Sequence, residues 1–352
     1  MFAVRMNLSL TFTIIMYKAL ALQTNCRTVN ASSDRDDAEA IMLASLDQIE
    51  RQLSASIDHI GRDVTLVVMP ENFLTGTPLT ETLVEWRDKA ALEIDGRVYE
   101  AISGMVQRLQ IYFSGNVYET DPHFPDLYFK TSFIMGPNGD LMLRYRQLNS
   151  AYSPTPHDVW AYYLEAYGYD SIFPVVKTNI GNLACISGED MAYPEVARCL
   201  TMRGAEVLLH STADIASPQL TSRRVAKLAR AAENMAYVVS ANAAGSTGGL
   251  LPEQTYGGSS VVIDPRGQIL AEAGAGESLA AHADIDLNAL RIQRQRTGQG
   301  NLLARQRFEL YAESYARHSV YPPNTLLSEV AERNHFVRTQ QASIDKLKKE
   351  VF

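Results

Sequence analysis

The stretch Asn182-Leu-Ala-Cys-Ile-Ser-Gly-Glu-Asp-Met-Ala-Tyr-Pro-Glu195 sets the frame for the chain around it. Leu183 to Ile186 is an apolar run with the length of a short buried strand. Ser187-Gly188 breaks that run as a tight turn. A helix follows at Pro194-Glu195. Proline suits a first helical turn because its missing N–H would have no partner there, and glutamate complements the helix dipole. Val196, Cys199 and Leu200 at i, i+3, i+4 supply an apolar face. Gly204 ends the helix, and Ala205-Glu-Val-Leu-Leu-His210 is the next strand. A strand, sharp turn and helix in that order put the turn at the carboxyl edge of a sheet, where enzymes commonly hold a nucleophile. Yet the apex residue, Gly188, has no side chain.

Upstream, Tyr17 to Thr24 alternates as a first core strand, and Asp34 to Ile57 carries a helical apolar stripe through Ala40, Ile41, Leu43, Ala44, Leu46, Ile49 and Leu53. Val64 to Met69 is a continuous apolar run, the mark of a central strand covered on both faces. It stops at Pro70-Glu71-Asn72-Phe73, which sets a carboxylate just beyond a stiff element. More helix is expected between Thr80 and Leu109. Leu127–Ile134 and Leu141–Tyr145 flank the turn Gly136-Pro-Asn-Gly139 as a hairpin. Lys130, Arg144 and Arg146 lie on it, Arg144 and Arg146 sharing a face. Downstream come a helix from Ser222 to Met235, a strand from Tyr237 to Asn242, a hairpin around Pro265-Arg-Gly267 and a last strand from Leu279 to Ile285. Paired strands between helices fit an α/β protein in which two sheets are sandwiched by outer helices, α-β-β-α.

The 352 residues, 46% hydrophobic, are read as one large domain over 17–290 with a tail over 291–352 expected to be helical and packed on the body or a partner subunit. A helix is expected in that tail from Leu326 to Val351. A net charge of −8 argues against nucleic acid or an anionic membrane as partner. Three cysteines, without metal spacing, suggest a reducing, cytoplasmic compartment. Scattered histidines offer no metal site, and no cofactor is expected. The apolar run at 1–16 is read as an N-terminal extension rather than an export signal, because cleavage at Ala21 would cut the first core strand.

VVMPENFLTG (67–76), GDLMLRYRQL (139–148), residues 181–211, RAAENMAYVVSANAAG (230–245) and SSVVIDPRGQILAEAG (259–274), in that order, resemble the nitrilase, or carbon–nitrogen hydrolase, superfamily. The resemblance implies an α-β-β-α sandwich, usually dimerised through the helices beside the central turn, and cofactor-free attack on amides, nitriles or carbamoyl groups. It also implies a glutamate base, a lysine that stabilises developing negative charge, and a cysteine nucleophile. Glu71 matches the glutamate. The lysine normally follows Tyr-Arg, and Gln147 stands there. The cysteine normally stands five residues before the aromatic of the (Phe/Tyr)-Pro-Glu element, and Gly188 stands there. Asp158, two residues before Trp160, takes the place of an accessory acid.

Substitutes are weaker. Cys185 and Cys199 read as core residues. Ser187 is a fallback nucleophile with Glu71 as base, but a carboxylate activates an alcohol poorly unless its pKa is raised, and hydrogen bonding within the turn is the simpler role. Glu71 is expected to bond backbone groups, Tyr118 or Gln147. His157 and Asp158 are expected to cap their loop, and Glu189 and Asp190 the N–H groups at the start of the helix. Three functions follow: a family fold that no longer hydrolyses and binds a small polar ligand; a C–N enzyme using Glu71 with Ser187 or water; or a structural subunit. A homodimer or higher homo-oligomer is expected, alone or with an active paralogue.

Overall fold

The computed structural model describes residues 16–276 and 278–352. The expectation for the N-terminal run falls outside these, save Met16, which opens the first strand. In chain order the strands are β1 (Met16–Gln23), β2 (Asn25–Arg27), β3 (Val64–Val68), β4 (Tyr112–Thr120), β5 (Tyr128–Met135), β6 (Leu141–Arg146), β7 (Val176–Thr178), β8 (Gly181–Ser187), β9 (Val207–Thr212), β10 (Tyr237–Asn242), β11 (Gly245–Thr247), β12 (Val261–Ile263), β13 (Ile269–Glu272) and β14 (Ser278–Asp286). The helices are α1 (Arg35–Ile60), α2 (Leu83–Ala90), α3 (Arg97–Leu109), α4 (Trp160–Tyr167), α5 (Pro194–Met202), α6 (Ser222–Asn234), α7 (Leu287–Gln295), α8 (Glu309–Ala316) and α9 (Arg333–Glu350).

Two six-stranded sheets form, ordered β14-β1-β3-β4-β5-β6 and β13-β12-β10-β9-β8-β7. Alternation along each strand sends one set of apolar side chains inward, so Ala19, Leu66, Tyr112 and Tyr145 of the first sheet share a core with Leu183, Cys185, Leu209 and Val239 of the second. The opposite face of the first sheet packs Leu20, Val67 and Phe113 against Leu46 and Ile49 of α1 and Ile102 of α3. Val196 and Leu200 of α5 and Ala231 of α6 join the core beyond the second sheet. The architecture is the α-β-β-α sandwich.

The segment after α7 is uneven. No residue of α8 is buried. Phe336 of α9 is buried with Leu326 among Phe124, Phe129, Val159 and Tyr163. The helix expected from Leu326 begins later, at Arg333. Asn324 and Leu326 donate their backbone N–H groups to the carbonyls of His157 and Asp158, which draws that stretch away from helical pairing. Cys199, read as a core residue, is only half-buried on α5.

Candidate functional site

Glu71 is held from both sheets. β3 ends at Val68, and the Glu71 N–H donates to the carbonyl of Thr212, at the end of β9 in the opposite sheet (3.2 Å). The next residue, Asn72, has φ +51°, a left-handed conformation that asparagine tolerates better than most residues. Its N–H donates to Asn116 Oδ1 on β4 at 3.1 Å. Asn116 also donates from Nδ2 to Ser132 Oγ and Ser187 Oγ, both at 2.9 Å. One buried amide thus ties the Glu71 turn to β5 and to the end of β8.

The partner of Glu71 is Lys130, not Tyr118, Gln147 or a backbone group: Lys130 Nζ donates to Glu71 Oε1 at 2.8 Å. Lys130 reaches it from β5, where it sits opposite Tyr118 of β4, and the Gln147 N–H donates to the Lys130 carbonyl (2.9 Å). Both side chains are largely buried, with 14% and 8% exposure. Burial works against the ammonium most strongly, yet the charge and hydrogen bond of Glu71, with Tyr118 and Glu189, together hold the Lys130 pKa above the ordinary lysine range.

Gly188 opens a 3-10 turn after β8 at φ +46°. A Cβ built there would lie 2.6 Å from Glu71 Oε1 and 3.0 Å from its Cδ, so the carboxylate occupies the space a side chain would need. His210 of β9 spans the turn from behind, with Nε2 2.9 Å from the Gly188 carbonyl and Nδ1 2.8 Å from Ser240 Oγ. The carbonyl can only accept, so Nε2 carries the proton and Nδ1 accepts from the serine. Burial, with the nearby Lys227 charge, lowers the His210 pKa to about 3. Because the folded value lies below that of a free histidine, protonation favours the unfolded chain, and stability is lost as pH falls from 6.5 towards 3. Urea melts of wild type and His210→Asn should therefore diverge between pH 6.5 and 4, the wild type losing about 3 kcal/mol more than the variant.

Of the other expected site residues, Gln147 lies beside Glu71 and lines the same cavity, whereas Ser187 and Asp158 do not. Gln147 donates to the Asn149 carbonyl at 2.7 Å and to Glu189 Oε1 at 3.4 Å, and its own Oε1 has no partner among the described residues. Ser187 is fully buried, and its Oγ accepts from Asn116 on another element rather than bonding within its own turn. Asp158 Oδ2 accepts from the Thr155 N–H (2.9 Å) and hydroxyl (2.8 Å), and Oδ1 from the Thr325 hydroxyl (2.9 Å), so it caps its loop and fastens the tail. Glu189 and Asp190 do not serve the helix that follows them. Glu189 Oε1 accepts from the Ala151 N–H at 3.0 Å. Asp190 accepts from the Tyr145 hydroxyl, the Leu148 and Asn149 N–H groups and Asn149 Nδ2, at 2.6–2.8 Å. Both carboxylates anchor the loop after β6, where the nearest unpaired donors are.

Glu71, Lys130, Gln147 and Glu189 meet at one cavity of about 290 Å³, which Cys26, Asn72, Arg223 and Tyr256 also line. Among the described residues no cluster of histidine, cysteine, aspartate or glutamate is arranged to hold a metal ion, and no helix is long and apolar enough to cross a membrane. Lys130 and Arg223 escaped the reading of the sequence. The β5–β6 hairpin offered three cations without showing which face met the cleft, and Arg223 lies far along the chain at the start of α6.

A model of the family described as "Carbon-nitrogen hydrolase" matches residues 29–295. The chain belongs to the carbon–nitrogen hydrolase family. Within that family, the omega-amidase NIT3 of Saccharomyces cerevisiae is 25% identical over 84% of this chain and 97% of its own. The 2-oxoglutaramate amidase of Bacillus subtilis is 32% identical over 45% of this chain and 56% of its own. Among solved carbon–nitrogen hydrolase structures, Nit3 from S. cerevisiae has a TM-score of 0.63 at 21% identity, covering 81% of this chain and 95% of that one. A mutant of the amidase from Nesterenkonia sp. AN1, with the acetamide moiety of fluoroacetamide added covalently at its active site cysteine, has a TM-score of 0.60 at 20% identity, covering 85% of this chain and 97% of that one.

Proposed function

We propose that this chain keeps the family's cavity for a small polar ligand of amide, nitrile or carbamoyl type, and has lost hydrolysis through a thiol. Gly188 and Gln147 stand where the family places its nucleophilic cysteine and its lysine. The observation that carries the reading is the fit of Glu71 over Gly188, since its carboxylate fills the volume a sulfur-bearing side chain would occupy and is fastened there by Lys130. No other thiol takes over. Burial pushes Cys26 and Cys185 up to about 12, so both are protonated at neutral pH and nucleophilically inert. Cys26 donates to the Asn72 carbonyl, and Cys185 lies against Ser114 in the core. The names of the amidase relatives support amide-like ligands, and the partnerless Gln147 Oε1 and Asn72 Oδ1 in the lining support a ligand with N–H donors. We read the protein as a cytoplasmic homo-oligomer.

A panel of amides, nitriles and N-carbamoyl compounds at neutral pH tests this. Turnover should stay at the uncatalysed rate while calorimetry detects binding of at least one member. Hydrolysis above background that Glu71→Gln abolishes would instead establish an enzyme using Glu71 and water.

A further inference from the structure

The charges around the cavity are not evenly matched. Beside Gly188, Lys130 neutralises Glu71, whereas Glu189 accepts only from neutral donors, the Ala151 N–H and Gln147 Nε2. That side therefore carries one negative charge in excess. Glu71 Oε2 and Glu189 Oε2 have no hydrogen-bond partner among the described residues, and the buried Gln147 Oε1 beside them has none either.

Across the cavity the imbalance reverses. Asp214 is shared by Lys227 Nζ (2.8 Å) and Arg223 Nη1 (2.9 Å), two cations on one carboxylate. Lys227 is the buried member of that trio, and Arg223 is the one that lines the cavity. Only its Nη1 is engaged, so Nε and Nη2 stay free among the described residues. Arg223 makes no direct ion pair with Glu71 or Glu189 among the described residues, although it lines the same cavity and both carboxylates help hold its charge.

We propose that the cavity takes a short zwitterion, a molecule of amino-acid type whose ammonium group sits at Glu189 and Gln147 and whose carboxylate meets the open edge of the Arg223 guanidinium. This rests on the reading of the cavity as a small-molecule site and departs from it in one respect, placing an ammonium beside Gly188 where an amide, nitrile or carbamoyl group would stand. An ammonium supplies up to three donors to the acceptors gathered beside Gly188. The planar guanidinium fork binds a carboxylate with two parallel hydrogen bonds. A neutral amide would bring no charge of its own to Glu189 or to the open edge of Arg223, whereas a zwitterion meets each at hydrogen-bond range.

Titration calorimetry on the full chain at low salt, with straight-chain ω-amino acids of one to five methylenes and with butylamine, butanoate and butanamide as single-ended controls, tests this. The best amino acid should bind at least about tenfold more tightly than any control, the worth of one partly desolvated charge contact. Arg223→Gln should remove that advantage and leave butylamine unchanged; Glu189→Gln should remove it and leave butanoate unchanged. Both variants should keep their melting temperature, because Asp214 retains Lys227 and the glutamine keeps an acceptor for Ala151. Butanamide or butanoate binding as tightly as the best amino acid overturns the zwitterion and leaves the small-molecule site standing. Binding by none of the probes overturns both.

Discussion

Lys130→Met should lower the unfolding free energy by about 4 kcal/mol, read as a fall in the urea midpoint at pH 7 with an unchanged slope. The ammonium and Glu71 carboxylate lie 2.8 Å apart and are almost entirely removed from solvent. Taking away one partner leaves the other as an uncompensated charge in a place built for a pair, and breaking such a pair costs far more than the pair contributes over an apolar replacement. Glu71→Gln in the Lys130→Met background should therefore recover most of the loss, because a neutral amide needs no counter-charge. Loss equal in the single and double variants would show that Lys130 acts through its packing over Tyr118, which its Nζ approaches to 5.8 Å from the ring centroid, rather than through charge.

Asp190→Ala should be costlier still, about 5 kcal/mol by the same measurement. Its carboxylate receives four donors, the Tyr145 hydroxyl, the Leu148 and Asn149 N–H groups and the Asn149 amide, and the substitution strips the acceptor from all of them at once. Each buried donor left unmatched costs on the order of 1–3 kcal/mol, reduced where the loop can relax toward water. Burial raises the carboxyl to about 6 even against those donors, which shows how dry the position is. Asp190→Asn retains one carbonyl acceptor and should lie between wild type and alanine. Because Asp190 joins the Gly188 turn to the loop that follows Gln147, the alanine variant should also abolish ligand binding in calorimetry. Intact binding would mean that the cavity does not depend on this clasp.

Much of the fold was legible because its causes are local. The unbroken apolar run at Val64–Val68, the stripe along α1 and the strand–turn–helix around Gly188 are properties of residues close in sequence, and period and turn chemistry report them directly. Motif order alone named Glu71, Gln147 and Gly188 as positions of one site, and Glu71 and Gln147 line the cavity, whereas Glu189, expected to cap the next helix, lines it without any such signal.

What the sequence determined by itself was the sandwich of two sheets between helices and the bare position at its central turn. Only the tertiary structure decided that Lys130 holds Glu71, that Asn116 links three elements and that Arg223 and Glu189 line one cavity. Those contacts join residues far apart in the chain, and Lys130, on a hairpin with several cations, had no local signal telling its side of the sheet from the other. Pairing of buried charge depends on which faces meet, and that is settled when the two sheets pack.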